Sequence, residues 1–155
     1  MAYAKDTSVA VSKSEGEIKA IIRRYGATSF ASFEGDGVAM IAFEMKERRI
    51  VFRLPLPDRQ SREFTTTPSG KWARTKDQAE QAWKQACRSK WRAPLLCIKA
   101  KLESVESGIE TFDDAFLAHI QMPDGSLVGE HVRPRIAASY ETQQMQPLLP
   151  GPSST

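Results

Sequence analysis

TSFASFEGDGVAMIAFEMKERRIVFRLPLP, residues 28–57, carries the pattern that decides the fold. Ala39, Ile41, Phe43 and Met45 fall on alternate positions, and so do Ile50, Phe52 and Leu54, the period of strands with one buried face. Gly35, Asp36 and Gly37 supply the first turn, Lys46 to Arg48 the second, and Pro55 and Pro57 close the last strand. The stretch therefore reads as a three-stranded antiparallel meander whose apolar face needs a cover of helices. The opposite face of its last strand shows Arg49, Val51 and Arg53, so that side of the sheet is expected to be cationic.

The cover lies on either side. Upstream, Ser12 and Glu15 have the spacing of a capping box, and Ile18, Ile21, Ile22 and Tyr25 form a helical stripe that ends at Gly26. Downstream, Thr75 with Gln78 repeats the capping signal and opens a helical stretch running to about Ser107, before Gly108. Trp83, Cys87, Trp91, Leu95, Ile98 and Leu102 are its apolar stripe. Pro94 interrupts it, which predicts a kink or a split into two helices near Ala93. Between sheet and helix, residues 58–74 show no periodicity and are expected to form a long exposed loop.

The remainder is small and helical. Thr111 caps a short helix containing Phe112, Phe116 and Leu117; MPDGS (122–126) is a turn that could join two very short strands. A last helix over about 128–142 contains Pro134, predicting a bend or a late start. The expected fold is α+β: one domain over residues 1–142 with an N-terminal helix, the meander, a long Pro-kinked helix and a small helical C-terminal portion. Residues 143–155, QQMQPLLPGPSST, are Pro- and Ser-rich and read as a flexible tail.

Composition bounds the function. The net charge of +3 is mild but segregated. Residues 71–101 hold nine Lys or Arg against Asp77 and Glu80, a local charge of +7, while the rest holds 13 cations against 17 carboxylates, or −4. Such a segment attracts polyanions. Within it Lys84, Arg88 and Arg92 recur every four residues without a carboxylate on the same line, with Lys90 to one side. Stacked like charges of this kind are mildly unfavourable in a helix. Such a ridge is either a solvated face with arginine stems along the tryptophans or a phosphate-binding track. Lys71, Trp72 and Arg74 sit in the loop, where an indole either stacks on bases or folds back into the core. Arg49 and Arg53 would extend the track.

Catalytic signatures are missing. Neither a phosphate-binding glycine loop nor a nucleophile elbow occurs, and His119 and His131, the two histidines, belong to no metal-ligand cluster. Asp113 and Asp114 read as the acidic first turn of a helix; only their convergence with His119 in a pocket would revive a hydrolase. Glu103, Glu106 and Glu110 read as a solvated face. No metal and no cofactor is expected. Cys87 and Cys97 are expected to be reduced, and the opening MAYAKDTSVAVSKSE has no apolar run of signal-peptide length, so a cytoplasmic protein without membrane attachment is expected.

MAYAKDTSVAVSKSE, RYGA, RIVFRLPLPDR, KAKLESVESGI, FLAHI, MPDGSLVGE and LLPG together resemble a family of small proteins encoded in tailed-phage and prophage genomes. The resemblance covers nearly the whole chain. It implies a phage setting in the bacterial cytoplasm and transfers no catalytic residue. The expected function is a non-enzymatic accessory protein that binds nucleic acid, with single-stranded DNA favoured, in phage recombination or replication. The alternative is a protein-binding module, an inhibitor of a host factor or a phage structural subunit, whose basic patch meets an acidic protein surface. Free sheet edges also allow a homo-oligomer built by strand addition.

Overall fold

The computed structural model describes residues 10–152. They form α1 (Val11–Arg24), β1 (Ser29–Gly35), β2 (Val38–Met45), β3 (Arg48–Pro55), α2 (Arg62–Thr65), α3 (Lys76–Glu106), α4 (Phe112–Phe116), a 3-10 turn (Leu117–His119) and α5 (Val128–Thr142). The sheet is the antiparallel meander β1-β2-β3. Its inner face is the expected one: Ala39, Ile41, Phe43, Met45, Ile50 and Phe52 are buried against Ile18 and Ile22 of α1 and Trp91, Leu95, Ile98 and Leu102 of α3.

Both hairpin turns hold two residues at positive φ: Asp36 and Gly37 in the first, Lys46 and Glu47 in the second. That is the type I′ geometry whose twist matches the strands. Glycine makes the first turn inexpensive, whereas Lys46 and Glu47 carry the left-handed strain of side-chain-bearing residues.

The start of α1 departs from the sequence expectation. The helix begins at Val11, its N-cap is Ala10 without a side-chain hydrogen bond, and no Ser12–Glu15 box forms. Glu15 instead accepts a hydrogen bond from the Ser32 hydroxyl of β1 at 2.5 Å. A tertiary partner outcompetes the local one. Ser14 is fully buried in the same helix and its hydroxyl has no hydrogen-bond partner. An unsatisfied buried hydroxyl is costly, so Ser14→Ala should raise the unfolding free energy by about 1 kcal/mol, measured by urea denaturation at constant m.

α3 runs as one uninterrupted helix through Pro94, so no split occurs near Ala93. Proline removes the bond to the Lys90 carbonyl, a defect of about 3 kcal/mol in an unsupported helix. Here Trp91, Pro94, Leu95 and Ile98 are all buried, so core packing holds both halves in line. The Thr75–Gln78 capping box is present in both directions. Cys87 and Cys97 are free, and ten residues apart on one helix they lie about 15 Å apart along its axis, too far to bridge.

Residues 58–74 are not an open loop. Ser61 caps α2, Phe64 is buried, and Thr66 bridges Ala73 to close a hairpin whose turn is tied by Gly70 N–H donating to the Thr67 carbonyl at 2.8 Å. Phe64 is buried beside the face of α3 that carries Ala82 and Ala86, apart from the main core cluster.

The C-terminal part meets the outer edge of β3 near its start. Ile120 bridges Ile50, and Gln121 N–H donates to the Arg49 carbonyl at 2.8 Å. The strands expected around MPDGS reduce to a single bridge between Gln121 and Leu127. α5 starts at Val128 despite Pro134, so there is no late start, and Glu130 takes the Leu127 N–H. Beyond Thr142 the chain reverses at Gln143, in the left-handed region, and runs back along α5. Arg135 donates to the carbonyls of Pro147 and Leu149, and Gln146 N–H donates to the Ser139 hydroxyl. Residues 146–149 of the expected tail thus lie against α5; residues 153–155 and the opening residues 1–9 lie outside the described part.

Candidate nucleic-acid interface

The nine cationic and aromatic residues singled out in the sequence do not form one strip. Arg49 and Arg53 sit on the sheet face away from α1 and α3, and each is neutralised: Arg49 by Glu44 at 2.8 Å, Arg53 by Glu130. Glu44 is the cross-strand neighbour of Arg49, and Glu130 is brought in by α5. Val51, between them, is buried. They do not extend a track.

The ridge on α3 is interrupted as well. Arg92 is ion-paired with Glu17 of α1 at 2.8 Å, a carboxylate that no inspection of α3 alone could supply. Arg88 donates twice to the Gln85 side chain. Lys84 remains exposed and without an ion pair among the described residues. Trp83 is taken too: its Nε1 donates to the Pro57 carbonyl at 2.9 Å, and the Arg59 guanidinium lies 4.0 Å above its ring.

What stays together is the group around the hairpin. Trp72 is 71% exposed, so the indole did not fold back. Its backbone is pinned, with the Trp72 carbonyl accepting from Thr67 N–H at 2.8 Å, so the ring is presented from an ordered arm. Lys71 beside it is exposed. Arg74, two residues on, donates to the carbonyls of Glu63 and Phe64, and ties the hairpin to α2. Arg74 therefore builds the site first and offers only its remaining donors to a ligand. Between hairpin and α3 runs a groove of about 690 Å³, lined by Phe64, Pro68, Ala82, Ala86, Lys90 and Ala93 among others. Lys90 thus stands on the groove side of α3, whereas Arg92, roughly 200° around the helix, faces α1. Sequence reading missed the groove floor; its one signal was the small residues Ala82, Ala86 and Ala93 on the side of α3 opposite the core stripe.

Among the described residues the acidic side chains and the histidines are engaged at separate places. Asp113 is engaged by Arg48 at 3.2 and 3.4 Å, and no group of three or more metal-ligating side chains occurs among the described residues. Asp113, Asp114 and His119 do not converge: Asp114 and His119 share a shallow pocket, while Asp113 points to Arg48. The Ser126 hydroxyl meets His131 Nε2 at 2.7 Å and donates to Asp124 at 2.5 Å. The carboxylate thus holds the serine rather than orienting the imidazole, which is a turn brace and the reverse of a triad. That hydrogen bond holds the Asp124 carboxyl below its usual pKa.

His119 is structural. Its ring stacks on Phe52 with centroids 4.0 Å apart, and burial pushes its pKa below the ordinary 6.5, with Lys101 acting in the same direction. A lowered folded-state value means that the unfolded chain takes up the proton first. The resulting stability is complete above about pH 6.5 and is lost as pH falls below it. Thermal unfolding should therefore show a Tm that falls between pH 7 and pH 5, and His119→Gln should flatten that part of the profile.

No family model matches the chain, and neither a curated protein nor a solved structure matches it. No helix among the described residues is long and apolar enough to cross a membrane.

Proposed function

We propose that the protein is a non-enzymatic nucleic-acid-binding accessory protein, favouring single-stranded DNA, that serves phage recombination or replication. The observation that carries this reading is Trp72: a largely exposed indole beside exposed Lys71, on a hydrogen-bonded hairpin that borders a groove which Lys90 also lines. Bases stack on such a ring while ammonium groups take the phosphates, a sequence-tolerant combination. Lys71, Lys76, Lys84, Lys90 and Lys99 are all exposed, and none has an ion pair among the described residues, so the basic segment keeps its charge for a ligand. Arg88, held by the neutral Gln85 side chain, adds to the field, whereas Arg92 is neutralised by Glu17. The phage setting rests on the sequence resemblance.

Fluorescence anisotropy with random-sequence oligonucleotides tests it. Binding should grow with oligonucleotide length and weaken steeply with salt, as condensed counterions are released. No binding at low salt would remove the reading. A second reading, a module that binds an acidic host or phage protein, draws on the largely apolar groove floor formed by Phe64, Pro68, Ala82, Ala86 and Ala93. It predicts that substitutions in the groove matter while oligonucleotides do not compete.

A further inference from the structure

We propose that the outer edge of β1 is a self-complementary interface at which two copies of the chain pair their β1 strands antiparallel, forming a continuous six-stranded sheet. The two edges of the meander are treated differently. β3 is met at Arg49 and Ile50 by Gln121 and Ile120, whereas no described residue pairs with the outer edge of β1. β1 also lacks the usual protection: Ser29–Gly35 contains no proline, lysine or arginine, and Glu34 is its one charge.

The hairpin geometry fixes which groups face outward. A two-residue type I′ turn makes Gly35 and Val38 a hydrogen-bonded pair, and the ladder alternates from there. Ser29, Ala31, Phe33 and Gly35 therefore bond to β2, while Phe30, Ser32 and Glu34 direct N–H and C=O into solvent. A two-fold axis at Ser32 places Ser32 opposite its own copy and Phe30 opposite Glu34. All three outward-directed residues of each strand are then satisfied at once.

The side chains agree with that register. Lys19 Nζ lies 6.0 Å from the centre of the Phe30 ring on the inner face. Glu34 of the second copy, directly across from Phe30 and on the same face, comes within reach of Lys19, and the contact occurs twice. Each Ser32 hydroxyl is already engaged by its own Glu15, which stands one helical turn from Lys19. On the outer face Phe33, 65% exposed, falls opposite Ala31 of the second copy, with the two Phe33 rings diagonal to one another. Glu15 and Lys19 of α1 reach β1, whereas Glu17, roughly 160° around the helix, reaches Arg92 of α3, so α1 sits between α3 and β1.

Sedimentation equilibrium without oligonucleotide decides the matter. The wild-type chain should show twice the monomer mass of 17.3 kDa. Ser32→Pro removes an N–H that no described residue accepts, together with the Ser32–Glu15 hydrogen bond, so it should give a monomer with wild-type circular dichroism and a Tm lowered by only a few degrees. Glu34→Lys, which sets like charges against Lys19 at two places, should raise the dimer Kd roughly tenfold, and Lys19→Glu added to it should restore pairing. A wild-type monomer at about 0.1 mM overturns the proposal, whether or not β1 accepts a foreign strand. A dimer that survives Ser32→Pro and ignores the charge exchange overturns it equally, because another surface would then be responsible.

Discussion

Phe116→Ala should lower the unfolding free energy by about 3–5 kcal/mol, the largest loss expected from any single truncation in this chain. Phe116 is fully buried. Its ring meets Phe43 and Phe52 of the sheet edge-on, at 6.0 and 6.4 Å between centroids, and lies 4.8 Å from Phe112. Lys101 of α3 sits 5.8 Å from the same ring and donates to the Ala115 carbonyl at 2.7 Å. One side chain therefore joins β2, β3, α3 and the C-terminal portion. Its removal leaves a cavity that four elements would have to collapse around at once. At roughly 2–4 °C per kcal/mol for a chain of this size, Tm should fall by about 10 °C in a calorimetric scan. A loss under about 1 kcal/mol would mean that α4 is not docked on the sheet.

Trp72→Ala should act in the opposite way, with a large effect on binding and almost none on stability. The ring is mostly in water, so the unfolding free energy should move by no more than about 0.5 kcal/mol. Loss of base stacking should weaken oligonucleotide binding by about 1–3 kcal/mol, roughly 5- to 150-fold, with Trp72→Phe retaining part of it. Lys71→Ala and Lys90→Ala should each lower the slope of log K against log salt by about one, since each removes one phosphate contact. Arg49→Ala and Arg53→Ala should leave binding unchanged, because Glu44 and Glu130 already hold those guanidinium groups. Unaltered binding in Trp72→Ala would take away the physical basis of the nucleic-acid reading.

The two predictions draw on different depths of the sequence. The short capped helix that carries Phe116 was legible, but not that its ring would be buried against two strands and α3. That Trp72 is exposed was one of two open readings. Buried Phe64 shows how a neighbour in the same polar segment took the opposite course. The charge ridge shows the limit of one-helix reasoning most directly. Lys84, Arg88 and Arg92 share a line on α3, yet Glu17 arrives from another helix and neutralises one of the three.

Local pattern sufficed for the meander, its inner face and the Thr75–Gln78 cap, because period, turn chemistry and capping act over a few residues. The continuity of α3 through Pro94, the loss of the Ser12 cap to Ser32, the closed hairpin at 66–73 and the pairing of Arg49, Arg53 and Arg92 were decided by packing. Each depends on a group far away in the chain, whose arrival changes which local option has the lower free energy. Alternation of apolar residues told which way the strands face; only the assembled molecule told which cations remain free and which strand edge is left bare.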